Sequence, residues 1–127
     1  MDTEGFLLRV WVHAADLADN EAAAWWLAIV CAAFPTLRLL WADGAYRGGW
    51  GARLEQLCGV TLVIVSKLAG QVGFVLLPRR WVVERTFAWL GRNRRLSKDY
   101  EELTECSETW IYLASIRLLT TRVARAA

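Results

Sequence analysis

The run Leu37-Arg38-Leu39-Leu40-Trp41 stands between Pro35-Thr36 on one side and Asp43-Gly44 on the other. No other segment constrains the fold as tightly. It is short, largely apolar and bounded by turn residues, so it reads as a strand buried on both faces. Strands of that kind belong to parallel sheets layered with helices. Thr61 to Val65, TLVIV, is a second strand, strongly β-branched. A short helix near Trp50 to Leu57 lies between the two.

The remaining pattern extends the alternation. Phe6 to Val12 is mostly apolar and β-prone and predicts a further strand. Glu21 to Phe34 predicts a helix that Asp19 or Asn20 can cap and that Pro35 ends. Ser66 to Gly73 reads as a connector, and Phe74 to Leu77 as an extended approach that Pro78 closes. Arg79 to Gly91 predicts a helix. Arg92 to Glu102 is basic and polar, a loop or frayed turn, and Thr104 can cap a last helix running to about Val123. Alternating strands and helices predict an α/β layer fold.

Residues 1–127 suit one domain, and 56% hydrophobic residues suffice for a real core. The net charge of +2 conceals an asymmetry. Residues 1–78 hold 5 basic and 7 acidic side chains, and residues 79–127 hold 10 and 6, so the second part is the one that faces a polyanion. Cys31, Cys58 and Cys106 are widely spaced and form no metal-ligand motif, so three buried, reduced thiols are expected. The start MDTEGFLLR lacks the basic region of a signal peptide. The longest apolar run, Ala22 to Phe34, has 13 residues where a bilayer span needs ~20, so no membrane segment is expected.

Two acids stand out. Asp43 lies just past a predicted buried strand, before a glycine, and ligands of open α/β sheets bind off the carboxyl ends of strands. The plainer reading is a turn-forming Asp-Gly. Glu84 is the single carboxylate among seven Arg and Lys between Arg79 and Lys98. On a helix, Arg80, Ala88 and Gly91 share its face, with Trp81 beside them. The plainer reading is an Arg80–Glu84 pair worth a few tenths of a kcal/mol. Against it, Trp81, Val82, Val83, Phe87, Trp89 and Leu90 leave that helix little surface for water. Arg92, Arg94, Arg95 and Lys98 make either a solvated basic loop or a set of phosphate contacts. His13, three residues before Asp16, reads as a hydrogen-bonded loop residue.

Taken together, LRLLWADGAYRG and LPRRWVVERTFAWLGRNRRLSKDYEELTE resemble the C-terminal half of bacterial insertion-sequence transposases of the DDE type, and among them the insertion-sequence-five family. The likeness runs from DTEGFLL to IYLASIRLL. It implies a ribonuclease H-like core in which three carboxylates meet at one end of a mixed sheet and bind two Mg²⁺ or Mn²⁺ ions. By resemblance Asp43 is the second acid, within ADGxYRG, Glu84 is the third, and Arg80 is the basic residue four positions before it. A Lys is common seven residues past the Glu; here that position is Gly91, followed by Arg92. The resemblance further implies that Arg80, Arg85, Arg92, Arg94, Arg95 and Lys98 hold DNA phosphates while Tyr46 and Arg47 flank the metal site. The implied partners are transposon ends and target DNA, handled by a homo-oligomer at the nucleoid of a bacterial cytoplasm.

One departure matters. The family's first Asp is expected upstream of DTEG, with Asp2 at a non-catalytic position. The expectation is therefore an incomplete ribonuclease H-like mixed sheet flanked by helices, the C-terminal part of a catalytic core without its N-terminal strands or DNA-recognition region. Such a chain is expected to be inactive alone. A non-catalytic DNA-binding or regulatory remnant, and a structure-specific nuclease of the same fold, are the alternatives.

Overall fold

The computed structural model describes residues 1–65 and 80–126, apart from the side chains of Asp19, Asn20, Ala24, Trp25 and Arg80. The segments expected as a connector and an extended approach, Ser66 to Pro78, lie outside the described residues. The chain divides into two compact units, Ala15–Pro78 and Met1–Ala14 with Arg79–Ala127.

In the Ala15–Pro78 unit, α1 spans Asp19–Ala33. Ala23, Leu27 and Val30 recur at helical spacing and are buried, which is why the helix has a core stripe. Its N-cap is Ala18, whose carbonyl accepts from Glu21 and Ala22 at 3.0 Å each. Asp19 and Asn20, expected as caps, are already helical. The helix ends where the Phe34 N–H reaches Val30, because Pro35 has no N–H to continue.

Strands β1 (Leu39–Ala42) and β2 (Thr61–Ile64) pair in parallel, Leu39 opposite Thr61 through Ala42 opposite Ile64. Helix α2 (Trp50–Cys58) forms the crossover and stops at Gly59, whose φ of +64° places it in the left-handed region that glycine takes without a Cβ penalty. This α/β arrangement of a small open parallel sheet with helices meets the expected fold class, with the geometry of an incomplete ribonuclease H-like sheet. The double burial expected of β1 does not hold among the described residues. Leu40 and Leu62 pack onto Ala23, Leu27 and Leu54, whereas Leu39 and Val63, one step along, remain 38% and 40% exposed. A strand alternates its side chains, and the helices of this unit cover the Leu40 side. The thiols also differ from expectation: Cys31 and Cys58 are half-buried and Cys106 is exposed.

In the other unit, the strand predicted over Phe6 to Val12 is absent: these residues carry no strand pairing among the described residues. Their backbone donors are taken by side chains instead. Val10 N–H donates to Tyr112 Oη at 3.2 Å and Val12 N–H to Glu108 Oε1 at 2.9 Å, both on α4 (Thr104–Ala126). A tight turn precedes this stretch. Asp2 Oδ1 accepts from Glu4 and Phe6 N–H at 2.9 Å each, and Gly5 sits at φ +84°.

Helix α3 (Arg80–Leu90) holds that turn in place. Its buried positions are Val82 and Thr86, one helical turn apart. Thr86 Oγ1 lies 2.8 Å from the Gly5 carbonyl and 2.9 Å from that of Val82, and Arg85 Nη2 donates to the Glu4 carbonyl at 2.6 Å. The Arg85 guanidinium stacks between the rings of Trp81 and Trp89, at 4.2 and 4.7 Å. Arg122 of α4 continues the stack over Trp89 and Phe6, at 4.9 and 5.1 Å. Each cation–ring contact stabilises by about 0.5–2 kcal/mol depending on its desolvation. The ladder ties the N-terminal turn, α3 and α4 together. Asn93 Nδ2 donates to the Leu90 carbonyl at 3.0 Å and satisfies the end of α3. Helix α4 begins at Thr104 itself, which therefore lies inside the helix, with Glu105 in the first turn and Arg125 in the last, as the macrodipole favours.

Candidate functional site

Asp43 follows directly on β1, at the carboxyl end of the parallel pair. Its Oδ1 accepts from Ala45 N–H at 3.0 Å, and its carbonyl accepts from Tyr46 N–H at 3.2 Å. The carboxylate thus caps a single 3₁₀ turn, Gly44–Tyr46, and stays exposed. Asp43 makes the turn expected of Asp-Gly, and its carboxylate stands at the carboxyl end of a strand, where ligands of open α/β sheets bind. Tyr46 turns inward, edge-on to Trp50 at 6.1 Å. Arg47 is exposed and lies over Gly44, where a Cβ would stand 3.7 Å from its Nε.

Glu84 lies on the exposed side of α3. Among the described residues, the apolar neighbours on this helix do not give Glu84 the shielding expected of them. Trp81 is 43% and Phe87 65% exposed, and Ala88 and Gly91 are exposed as well. The helix is rotated so that Val82 and Thr86 enter the core, which turns the Glu84 face outward. That rotation is set by the turn docked through Arg85 and Thr86, a long-range contact that periodicity does not contain.

The basic residues fall into two groups. Arg85 is half-buried in the cation–ring ladder, and its Nε is buried without a hydrogen-bond partner. Its shape and partners are those of a structural fastener. Arg92, Arg94, Arg95 and Lys98 are exposed around a second 3₁₀ turn, Arg94–Leu96. Arg95 pairs with Glu101 at 3.5 Å and lies over the Trp110 ring at 5.4 Å. Arg80 opens α3, and its side chain lies outside the described residues. The His13 ring nitrogen Nδ1 lies 2.9 Å from the Ala14 carbonyl, the hydrogen-bonded loop position expected of it.

Asp43, Tyr46 and Arg47 therefore belong to one unit, and Glu84 with the basic turn to the other. Among the described residues, no group of three or more His, Cys, Asp or Glu is arranged to hold a metal ion. Asp43 and Glu84 are hard oxygen donors, the type that Mg²⁺ takes. The donor type of both residues fits such an ion. The sequence pattern does not single out Gly5 or Thr86, whose contact fastens the N-terminal turn to α3. A glycine two residues after an acid-threonine pair was the one available signal of a tight turn there. Among the described residues, no helix is long and apolar enough to cross a membrane.

No curated protein and no solved structure matches the chain. A family model does: that of the transposase DDE domain, over residues 1–119. The matched stretch takes in both parallel strands, the Asp43 turn, α3 with Glu84 and most of α4. With nearly the whole chain so covered, this protein belongs to the family of transposase DDE domains.

Proposed function

We propose that this chain supplies two carboxylates and a DNA-facing basic surface to an insertion-sequence transposase of the insertion-sequence-five type, and that alone it binds DNA without cutting it. The observation that supports this most is Asp43 at the carboxyl end of β1, inside the matched domain. In a transposase of that type, a homo-oligomer acting on transposon ends and target DNA in a bacterial cytoplasm, water attacks a phosphodiester and breaks a P–O bond to free a 3′-OH. That hydroxyl then attacks a target phosphodiester, forming one P–O bond as another breaks. Divalent ions, when bound, supply charge neutralisation at the flanking oxygens. Asp43 and Glu84 would hold them, Arg80 would stand beside Glu84, and Tyr46 and Arg47 would border Asp43. Arg92, Arg94 and Lys98 hold the DNA phosphates, which makes binding fall with salt.

The test is end-labelled DNA incubated with the chain in Mg²⁺ or Mn²⁺, with and without Glu84→Gln. The expected result is salt-dependent binding and no cleavage that depends on Glu84. Binding that is salt-dependent and indifferent to Asp43→Asn supports the regulatory alternative. Glu84-dependent cleavage would overturn the expected inactivity.

A further inference from the structure

Beside the second 3₁₀ turn lies an open depression of about 370 Å³, lined among the described residues by Arg94, Arg95 and Tyr100. Its three side chains are not equivalent. Arg95 is oriented by Glu101 at 3.5 Å and by the Trp110 ring at 5.4 Å, so it forms a positioned wall. Glu101, 21% exposed, balances its charge. Arg94 is exposed on the same turn, and Tyr100 is 53% exposed. Lys98 stands exposed between them in sequence.

An exposed guanidinium, a positioned one and an exposed aromatic face are the components with which proteins bind single-stranded nucleic acid. The volume lies near the lower end of ordinary ligand pockets, roughly 300–1,000 Å³. A duplex cannot enter a hollow of that size, but one nucleotide can. Resting on the DNA-binding reading above, we infer that the depression receives one unstacked nucleotide of a DNA strand, its base on the Tyr100 ring and its phosphate on Arg94. Glu101 beside Arg95 disfavours a phosphate at that wall and directs it to Arg94. This gives the basic turn a task beyond general attraction: it distinguishes DNA with an unpaired base from an intact duplex.

The experiment compares two labelled duplexes, identical except that one carries a central unpaired 2-aminopurine, by anisotropy and by 2-aminopurine emission. The unpaired base is expected to tighten binding by roughly tenfold, the scale of one base–aromatic stack, with quenched emission. Tyr100→Ala removes that gain and the quenching and leaves intact-duplex affinity unchanged, while Arg94→Ala weakens both duplexes. Circular dichroism confirms that both variants remain folded. Equal affinity for the two duplexes, or a gain that survives Tyr100→Ala, overturns the inference while leaving the DNA-binding reading intact. Absence of binding to either duplex at low salt removes both. Displacement by micromolar free deoxynucleoside monophosphate would make this a site for free nucleotides and also overturn it.

Discussion

Gly5→Ala probes the contact that sets the rotation of α3. Gly5 has φ +84°, where a Cβ costs about 1–2 kcal/mol. The added methyl would also stand 2.8 Å from Thr86 Oγ1 and 3.3 Å from both Arg85 Nη2 and Trp89 Cζ3. Thr86 is 4% exposed and bonded on both sides, so it has little room to give, and overpacking of this kind costs roughly 1–3 kcal/mol. The expected destabilisation is therefore about 2–5 kcal/mol, read from urea unfolding. Thr86→Ala alone should cost about 1–3 kcal/mol, because the Gly5 carbonyl loses the buried hydroxyl beside it. The two changes should not add. In the double variant the closest clash is gone, so the pair should be less unstable than the sum by at least 1 kcal/mol or so. Hydrogen exchange at the Phe6 amide, which is bonded to Asp2, locates the effect in the turn. Gly5→Ala within 0.5 kcal/mol or so of the parent, or strict additivity, would refute the docking argument.

Asp43→Ala should lower stability by about 0.5–2 kcal/mol through loss of the cap on the Gly44–Tyr46 turn, while Asp43→Asn retains the acceptor and most of the stability; thermal unfolding distinguishes them. Arg85→Ala should cost about 1–3 kcal/mol, and Arg85→Lys should recover little of it, since only a planar guanidinium stacks on both rings while bonding the Glu4 carbonyl; urea midpoints of the two variants test this. Burial, and then the hydrogen bond with Cys58, push the Cys31 thiol up from 9.0 to about 11. Iodoacetamide at pH 8 should therefore label exposed Cys106 well before Cys31. The folded state holds the Cys31 proton more tightly than the unfolded one, so its contribution to stability is full below the unfolded thiol range and declines as pH rises toward 11. Urea midpoints from pH 8 to 10.5 or so should fall, and less steeply in Cys31→Ser.

Sequence alone determined the features that depend on neighbouring residues. Pro35 ends α1 because it has no N–H, Gly59 ends α2 because it tolerates positive φ, and β-branched Thr61–Ile64 forms a strand. Asp43 at a strand's carboxyl end was legible for the same reason, since strand and turn residues adjoin it in the chain. The features it left open depend on distant partners. Phe6 to Val12 has strand composition, yet its donors are satisfied by Tyr112 and Glu108, 102 and 96 positions away. Arg85 reads as one more cation in a basic run, and only the contacts with Glu4, Trp81 and Trp89 make it a fastener. The outward face of Glu84 follows from Thr86 meeting Gly5 across 81 positions. Composition sets how apolar a helix is. Which side of it meets water is decided by what docks against the other side, and that partner comes from a remote part of the chain.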